Sequence, residues 1–255
     1  MKIGDISVSN LQVIQQTLRN EGIDPNPLMA SYGVSEELIG TAYARISLSR
    51  YMRIGDEAIK LTEKPWLGLH LGENTHAGAM GLVGLAAMTA PTLSTALEIS
   101  VRFESLGSRN IRGDSEYYLD AKMGRPTREL FSLSPYNRFN HFCVDSILST
   151  WHCFAQWFTG GIDLLKQVNI EYQDQGYRDR FEDFFQCPVS FGQERNALIF
   201  NSGADQLPGR FSSMASHQHA VILCERELSA LSGDNTFRDR IVELIAPLLQ
   251  GQPPM

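Results

Sequence analysis

The chain has 255 residues, of which 43% are hydrophobic and 20% charged, and its formal net charge is −7. That composition excludes a disordered chain and leaves room for one large domain or two small lobes. The acidic balance, with a pI near 5.4, opposes direct contact with nucleic-acid backbones.

The N-terminal MKIGDISVSNLQ has no apolar run long enough for a signal peptide, and no later stretch approaches the ~18 apolar residues of a membrane span. The four cysteines, Cys143, Cys153, Cys187 and Cys224, are scattered and show no Cys-x-x-Cys spacing. A reduced, cytoplasmic protein is therefore expected, with neither a disulfide scaffold nor a structural zinc site. Residues 8–20 carry Leu11, Ile14 and Leu18 at helical spacing. Asp24 and Pro25 mark a new helix start leading through Leu28 to Ala30, and residues 34–39 form another short helix. A longer helix is predicted over 49–62 and ends before Lys64-Pro65. Residues 66–72 form a short helical or turn segment. The small-residue run 82–88 reads as a buried helix, and Thr92 caps a helix over 93–103.

From Leu106 the period changes. Residues 108–112 and 116–123 read as two strands of a hairpin about Gly113-Asp114, and 128–133 fits either a strand or a loop. The longest predicted helix covers 137–158 and stops at Gly160-Gly161. Residues 168–172 form a strand. FEDFF, 181–185, has helical spacing and is stopped by Cys187-Pro188. Residues 188–191 and 196–200 read as a second hairpin across Gly192. Ser212 caps a helix to about Leu231, and Asp234 caps another over 236–249.

The stretch FEDFFQCPVSFGQERNALIFN, followed by Leu207-Pro208, resembles the C-terminal part of the effector-binding domain of AraC-type transcription regulators, in the branch with an arabinose-binding-like regulatory domain. The likeness extends through ISLSRYMRIGDEAIKLTEKPWLGLHLGE and GAMGLVGLAAMTAPTLSTALEISVRF, with Tyr51, Gly68-Leu-His-Leu-Gly72, Gly81, Pro91-Thr92-Leu93 and Ala96-Leu97 as matching features. It spans about residues 10 to 250. The resemblance implies a bacterial regulatory domain that binds a small cytosolic effector and pairs as a homodimer. It implies contact with DNA only through a C-terminal helix-turn-helix domain, expected to be absent from this chain.

Helix 137–158 carries the most functional information. Cys143, Val144, Ile147, Leu148, Trp151, Phe154, Ala155 and Phe158 fall on one side, and His141, Asp145, Ser149, His152 and Gln156 on the other. A polar stripe with few full charges suits a pocket wall, or equally a solvated or inter-lobe face. One metal ion would not take His141, Asp145 and His152 together, because His152 lies roughly 10 Å along the axis beyond Asp145. Adjacent His152 and Cys153 point ~100° apart, which disfavours a nucleophilic pair. No Gly-x-Ser-x-Gly, phosphate-binding loop or dinucleotide fingerprint is present. Trp66, Phe103, Tyr117, Tyr118, Tyr136, Trp151 and Trp157 either fill the core or enclose an organic ligand. Arg102, at the end of its helix, complements the dipole or holds a ligand carboxylate. His217 and His219 are expected on the surface, and the apolar stripes of the last two helices pack inward or against a second subunit.

An α+β fold is therefore expected. It has a helical N-terminal lobe over 1–104, an antiparallel sheet of four to six strands with the long helix over 105–209, and C-terminal helices over 210–255. The candidate ligand-binding residues are His70, Arg102, Tyr136, His141, Asp145, Trp151 and His152, with no catalytic residue, metal or cofactor and no membrane partner. The alternatives are a dimerisation module without a ligand and, more remotely, a Cys/His hydrolase using His152 or His70.

Overall fold

The computed structural model describes residues 4–41, 44–110, 115–121, 123–130, 138–161 and 163–233. The predicted helix 236–249, Tyr136 and the proposed turn at Gly113-Asp114 lie outside the described residues. In chain order the elements are β1 (Gly4–Ser7), α1 (Ser9–Asn20), α2 (Asn26–Ser31), α3 (Glu36–Gly40), β2 (Arg45–Ser47), α4 (Leu48–Thr62), α5 (Leu67–Asn74), α6 (Gly81–Met88), α7 (Leu93–Arg102), α8 (Glu104–Gly107) and β3 (Ser108–Asn110). They continue as β4 (Glu116–Leu119), β5 (Pro126–Leu130), α9 (Arg138–Thr159), β6 (Leu165–Ile170), α10 (Arg178–Phe185), β7 (Val189–Phe191), β8 (Asn196–Phe200) and α11 (Met214–Gly233). The fold is α+β.

The helix starts follow local chemistry. Ser35 accepts from the Leu38 amide, Ser47 from the Arg50 amide and Thr92 from the Thr95 amide, each satisfying one orphan donor of a first turn. α10 ends in a left-handed Gln186, φ +55°, just before Cys187-Pro188.

The strands pair differently from the two predicted hairpins. β3 does not pair with β4. It joins β1 and β2 in a three-stranded sheet of order β2-β1-β3, while β4 pairs with β5 in a separate five-stranded sheet. Asp5 of β1 explains why β3 is drawn there. Arg45 Nε and Arg109 Nη2 each donate to its carboxylate at 2.5 Å, tying β2 and β3 to the central strand. Burial pushes the Asp5 carboxyl up, but the two guanidiniums outweigh it and hold it below the usual carboxylate range.

Nor do β7 and β8 form a hairpin. The order is β4-β5-β8-β6-β7, so β6 lies between them, antiparallel to β8 and parallel to β7. The segment 128–133, open between strand and loop, contributes its start to β5.

Two cores result. One gathers Leu11, Ile14, Leu18, Met52 and Ile54 with Phe142 of α9. The other lies between the five-stranded sheet and the helices, with Leu97, Phe103, Leu148, Phe158, Val168, Leu198 and Phe200. α5 serves both, sending Leu67 and Leu71 to the first and Leu69 to the second. α5 also lies very close to α9. A Cβ on Gly68 would come within 2.5 Å of the Asp145 Cβ, and one on Gly72 within 2.4 Å of the Ser149 carbonyl carbon. The Gly-Leu-His-Leu-Gly sequence is thus what lets the two backbones touch. Among the described residues no helix is long and apolar enough to cross a membrane.

Candidate functional site

α9 has two flanks that bury polar groups. The first is the polar stripe read from the sequence, and it is not a solvated face. Ser149 is fully buried, and its Oγ donates to the Gly68 carbonyl at 2.9 Å across the α5 contact. Tyr172, just after β6, donates its hydroxyl to Asp145 Oδ1 at 2.5 Å and stacks its ring on His141 at 4.1 Å. Burial pushes the Asp145 carboxyl up to about 8, and the Tyr172 hydrogen bond offsets part of that rise. His152 is 3% exposed and packs against the rings of Phe184 and Phe185, with centroids at 5.7 and 5.2 Å. Burial drives it down to about 4, with Asp163 and the Phe184 backbone acting weakly in the opposite direction. That backbone is near enough to be felt, but among the described residues neither ring nitrogen has a partner in hydrogen-bond geometry. Near pH 7 Asp145 is mostly protonated and His152 is neutral. The flank is a desolvated polar seam that carries almost no charge.

The second flank faces β5 and holds a group the sequence reading did not single out. Arg128 is 3% exposed. Alternation along β5 puts it on the same face of the sheet as Leu130, and its ladder partners are Tyr117 on β4 and Leu198 on β8. Leu130 and Leu198 are buried in the core between sheet and helices, and Tyr117 packs against it. The guanidinium carbon lies 3.7 Å from the ring centroid of Trp151 on α9. Among the described residues Arg128 Nε has no hydrogen-bond partner, and no carboxylate lies within ion-pair distance.

Glu104 of α8 acts on Arg128 only through space. Its two oxygens accept from the Ser115 amide and hydroxyl, each at 2.8 Å. Burial lowers the guanidinium pKa to about 9, with Glu104 opposing, so Arg128 remains cationic at neutral pH. Burying such an ion costs several kcal/mol, against about 2 kcal/mol returned by a desolvated cation–π contact. The described residues alone leave that cost only partly offset.

Of the seven residues named from the sequence, the six that are described do not converge. Trp151 stands against Arg128. His141 and Asp145 meet at Tyr172, and His152 sits about two turns further along against α10. His70 lies on α5, partly exposed, with Nδ1 3.5 Å from Glu21 and 3.4 Å from Glu73. Arg102 is more than half exposed and pairs with Glu225 of α11. Tyr136 lies outside the described residues. His217, expected on the surface, is half-buried, and its Nδ1 lies 2.8 Å from the Ala86 carbonyl, which ties α11 to α6.

The thiols are poor nucleophiles. Burial pushes Cys143, Cys153 and Cys187 up to about 12 and Cys224 to about 11. Among the described residues no group of three His, Cys, Asp or Glu is arranged to hold a metal ion.

Reading the sequence missed Arg128 and Tyr172. The available signal was an arginine in register with Leu130 at what would be inward positions of a strand, but a five-residue run carries too little period to show which face is inward.

A family model described as the arabinose-binding domain of AraC transcription regulators, N-terminal, matches residues 22–208. An ornithine utilization regulator of Pseudomonas aeruginosa is 20% identical over 248 residues, covering 97% of this chain and 71% of that protein. The crystal structure of the transcriptional regulator CdpR from Pseudomonas aeruginosa aligns with a TM-score of 0.61 at 17% identity, over 96% of this chain and 72% of that one. At that identity the likeness is one of fold.

Proposed function

The chain belongs to the family of arabinose-binding N-terminal domains of AraC transcription regulators, and from that premise we propose that it senses a small organic effector and sets the state of a helix-turn-helix DNA-binding domain in the same regulator. The observation that carries this reading is the polar set built into the layer between sheet and helices. Arg128 lies buried over the Trp151 ring beside its ladder partner Tyr117, within the field of the Glu104–Ser115 pair, where apolar packing would be cheaper. The effector binds there, between β4, β5 and α9. His141, Asp145 and His152 form the seam through which a shift of α9 reaches α5 and the N-terminal lobe. A ligand moves that equilibrium only by binding one arrangement better than the other. The protonated thiols, pushed up by burial, support recognition over catalysis as the chemistry of the site.

Thermal melts against a panel of sugars, amino acids and organic acids test the reading. A compound that raises the melting temperature of the native protein, and not that of Trp151→Ala, supports it. A second reading, a dimerising module without a ligand, draws on the exposed Phe211, Met214 and Ile222 in and before α11. A concentration-dependent dimer in light scattering, with no response to any compound, would favour it. The two readings are compatible if the sensor is itself a homodimer.

A further inference from the structure

We propose that the effector is an organic monocarboxylate, its carboxylate held by the guanidinium of Arg128 and its apolar body laid against Trp151. The inference rests on the sensor reading and adds the chemical class of the ligand. Arginine presents its donors in a rigid fork that matches a carboxylate, and here that fork is nine-tenths buried with Nε unpartnered among the described residues. One face of the guanidinium is covered by the Trp151 ring, so the edge carrying the N–H groups is what remains for a ligand.

The surroundings restrict the class further. Leu130, Leu198 and Ile147 belong to the same apolar layer, which favours a ligand with a hydrocarbon or aromatic part. Among the described residues Glu104 is the one negative charge felt at Arg128, and it is engaged with Ser115. A monoanion meets one cation with one charge. A dianion such as phosphate would bring surplus negative charge towards Glu104 in a low-dielectric interior.

The 255-residue chain is melted at pH 7 with acetate, hexanoate, benzoate, phenylacetate and inorganic phosphate, and with the carboxamides of the four acids. At about 100-fold above Kd, at least one of the larger carboxylates should raise the melting temperature by roughly 5–10 °C, while its amide and phosphate do not. Arg128→Met should raise the melting temperature of the ligand-free protein, because it removes an uncompensated buried charge, and should abolish the carboxylate response. Arg128→Lys should keep the preference for acid over amide with affinity at least ~10-fold weaker, since the charge stays and the fork is lost.

Equal shifts from acid and amide overturn the inference, as does a carboxylate response that survives in Arg128→Met. The acid-against-amide comparison on the native protein decides the matter even if Arg128→Met does not fold. Neutral compounds that stabilise both the native protein and Arg128→Met, with carboxylates inert, would overturn the carboxylate inference and leave the sensor reading standing. A dimer that responds to nothing removes both.

Discussion

The two flanks of α9 bury polar groups by opposite means. On the α5 and α10 side the groups shed their charge: Asp145 takes up a proton, His152 gives one up, and Tyr172 and Ser149 supply hydrogen bonds. On the β5 side Arg128 cannot follow, because even a guanidinium lowered to about 9 stays protonated at neutral pH. Carboxyl and imidazole groups adjust to a dry interior by titrating, so their burial asks for nothing from outside. A buried arginine keeps its charge, and that charge stays costly until a partner meets it. That difference is why we propose the β5 side as the place for a ligand and the other side as a structural seam.

The comparison can be broken in several ways, and the largest expected effect falls on the β5 side. Trp151→Ala removes a buried ring and strips the cover from Arg128. It should cost about 3–5 kcal/mol in urea unfolding. Next is the α5 contact. Gly72→Ala puts a Cβ within 2.4 Å of the Ser149 backbone. Overpacking of up to about 3 kcal/mol, less about 1 kcal/mol of gained helix propensity, predicts a net loss near 2 kcal/mol by the same measurement.

A third test uses pH. A folded Asp145 at about 8, raised from 3.8, means the native state holds a proton that the unfolded chain has lost, so its contribution falls as pH rises from about 4 to 8. His152 at about 4, lowered from 6.5, works the other way between 4 and 6.5. The two nearly cancel below pH 6.5. Above it Asp145 acts alone, and stability should drop by roughly 2 kcal/mol between pH 6.5 and 8. Asp145→Asn, which can still accept from Tyr172, should flatten that drop and uncover the rise between pH 4 and 6.5 due to His152. A fall above pH 6.5 that persists in Asp145→Asn would mean the seam carries charge from another group. The smallest effect belongs to Arg102, exposed and paired with Glu225. Arg102→Ala should change stability by no more than about 0.5 kcal/mol and leave ligand responses intact. A lost response there would move the site away from Arg128.

The helices with a strong local signature are legible in the amino-acid pattern. The spacing of Leu11, Ile14 and Leu18, the cap at Thr92 and the two faces of α9 all rest on contacts within a few residues of each other. Most strands are legible in position, but their pairing is not, because each is three to six residues long and the preference for a short connection points to the wrong partners for β3, β7 and β8. β3 is claimed by a strand about a hundred residues earlier through Asp5 and Arg109, and β6 comes between β7 and β8.

By itself, then, the sequence determined the family, the α+β class and which side of α9 is polar, since periodicity, capping and motif spacing are local properties of the chain. Tertiary structure alone decided that the polar side lies against the glycines of α5 and that Arg128 is sealed beneath Trp151. Burial and the pairing of charges depend on which distant segments meet, and no local pattern encodes that.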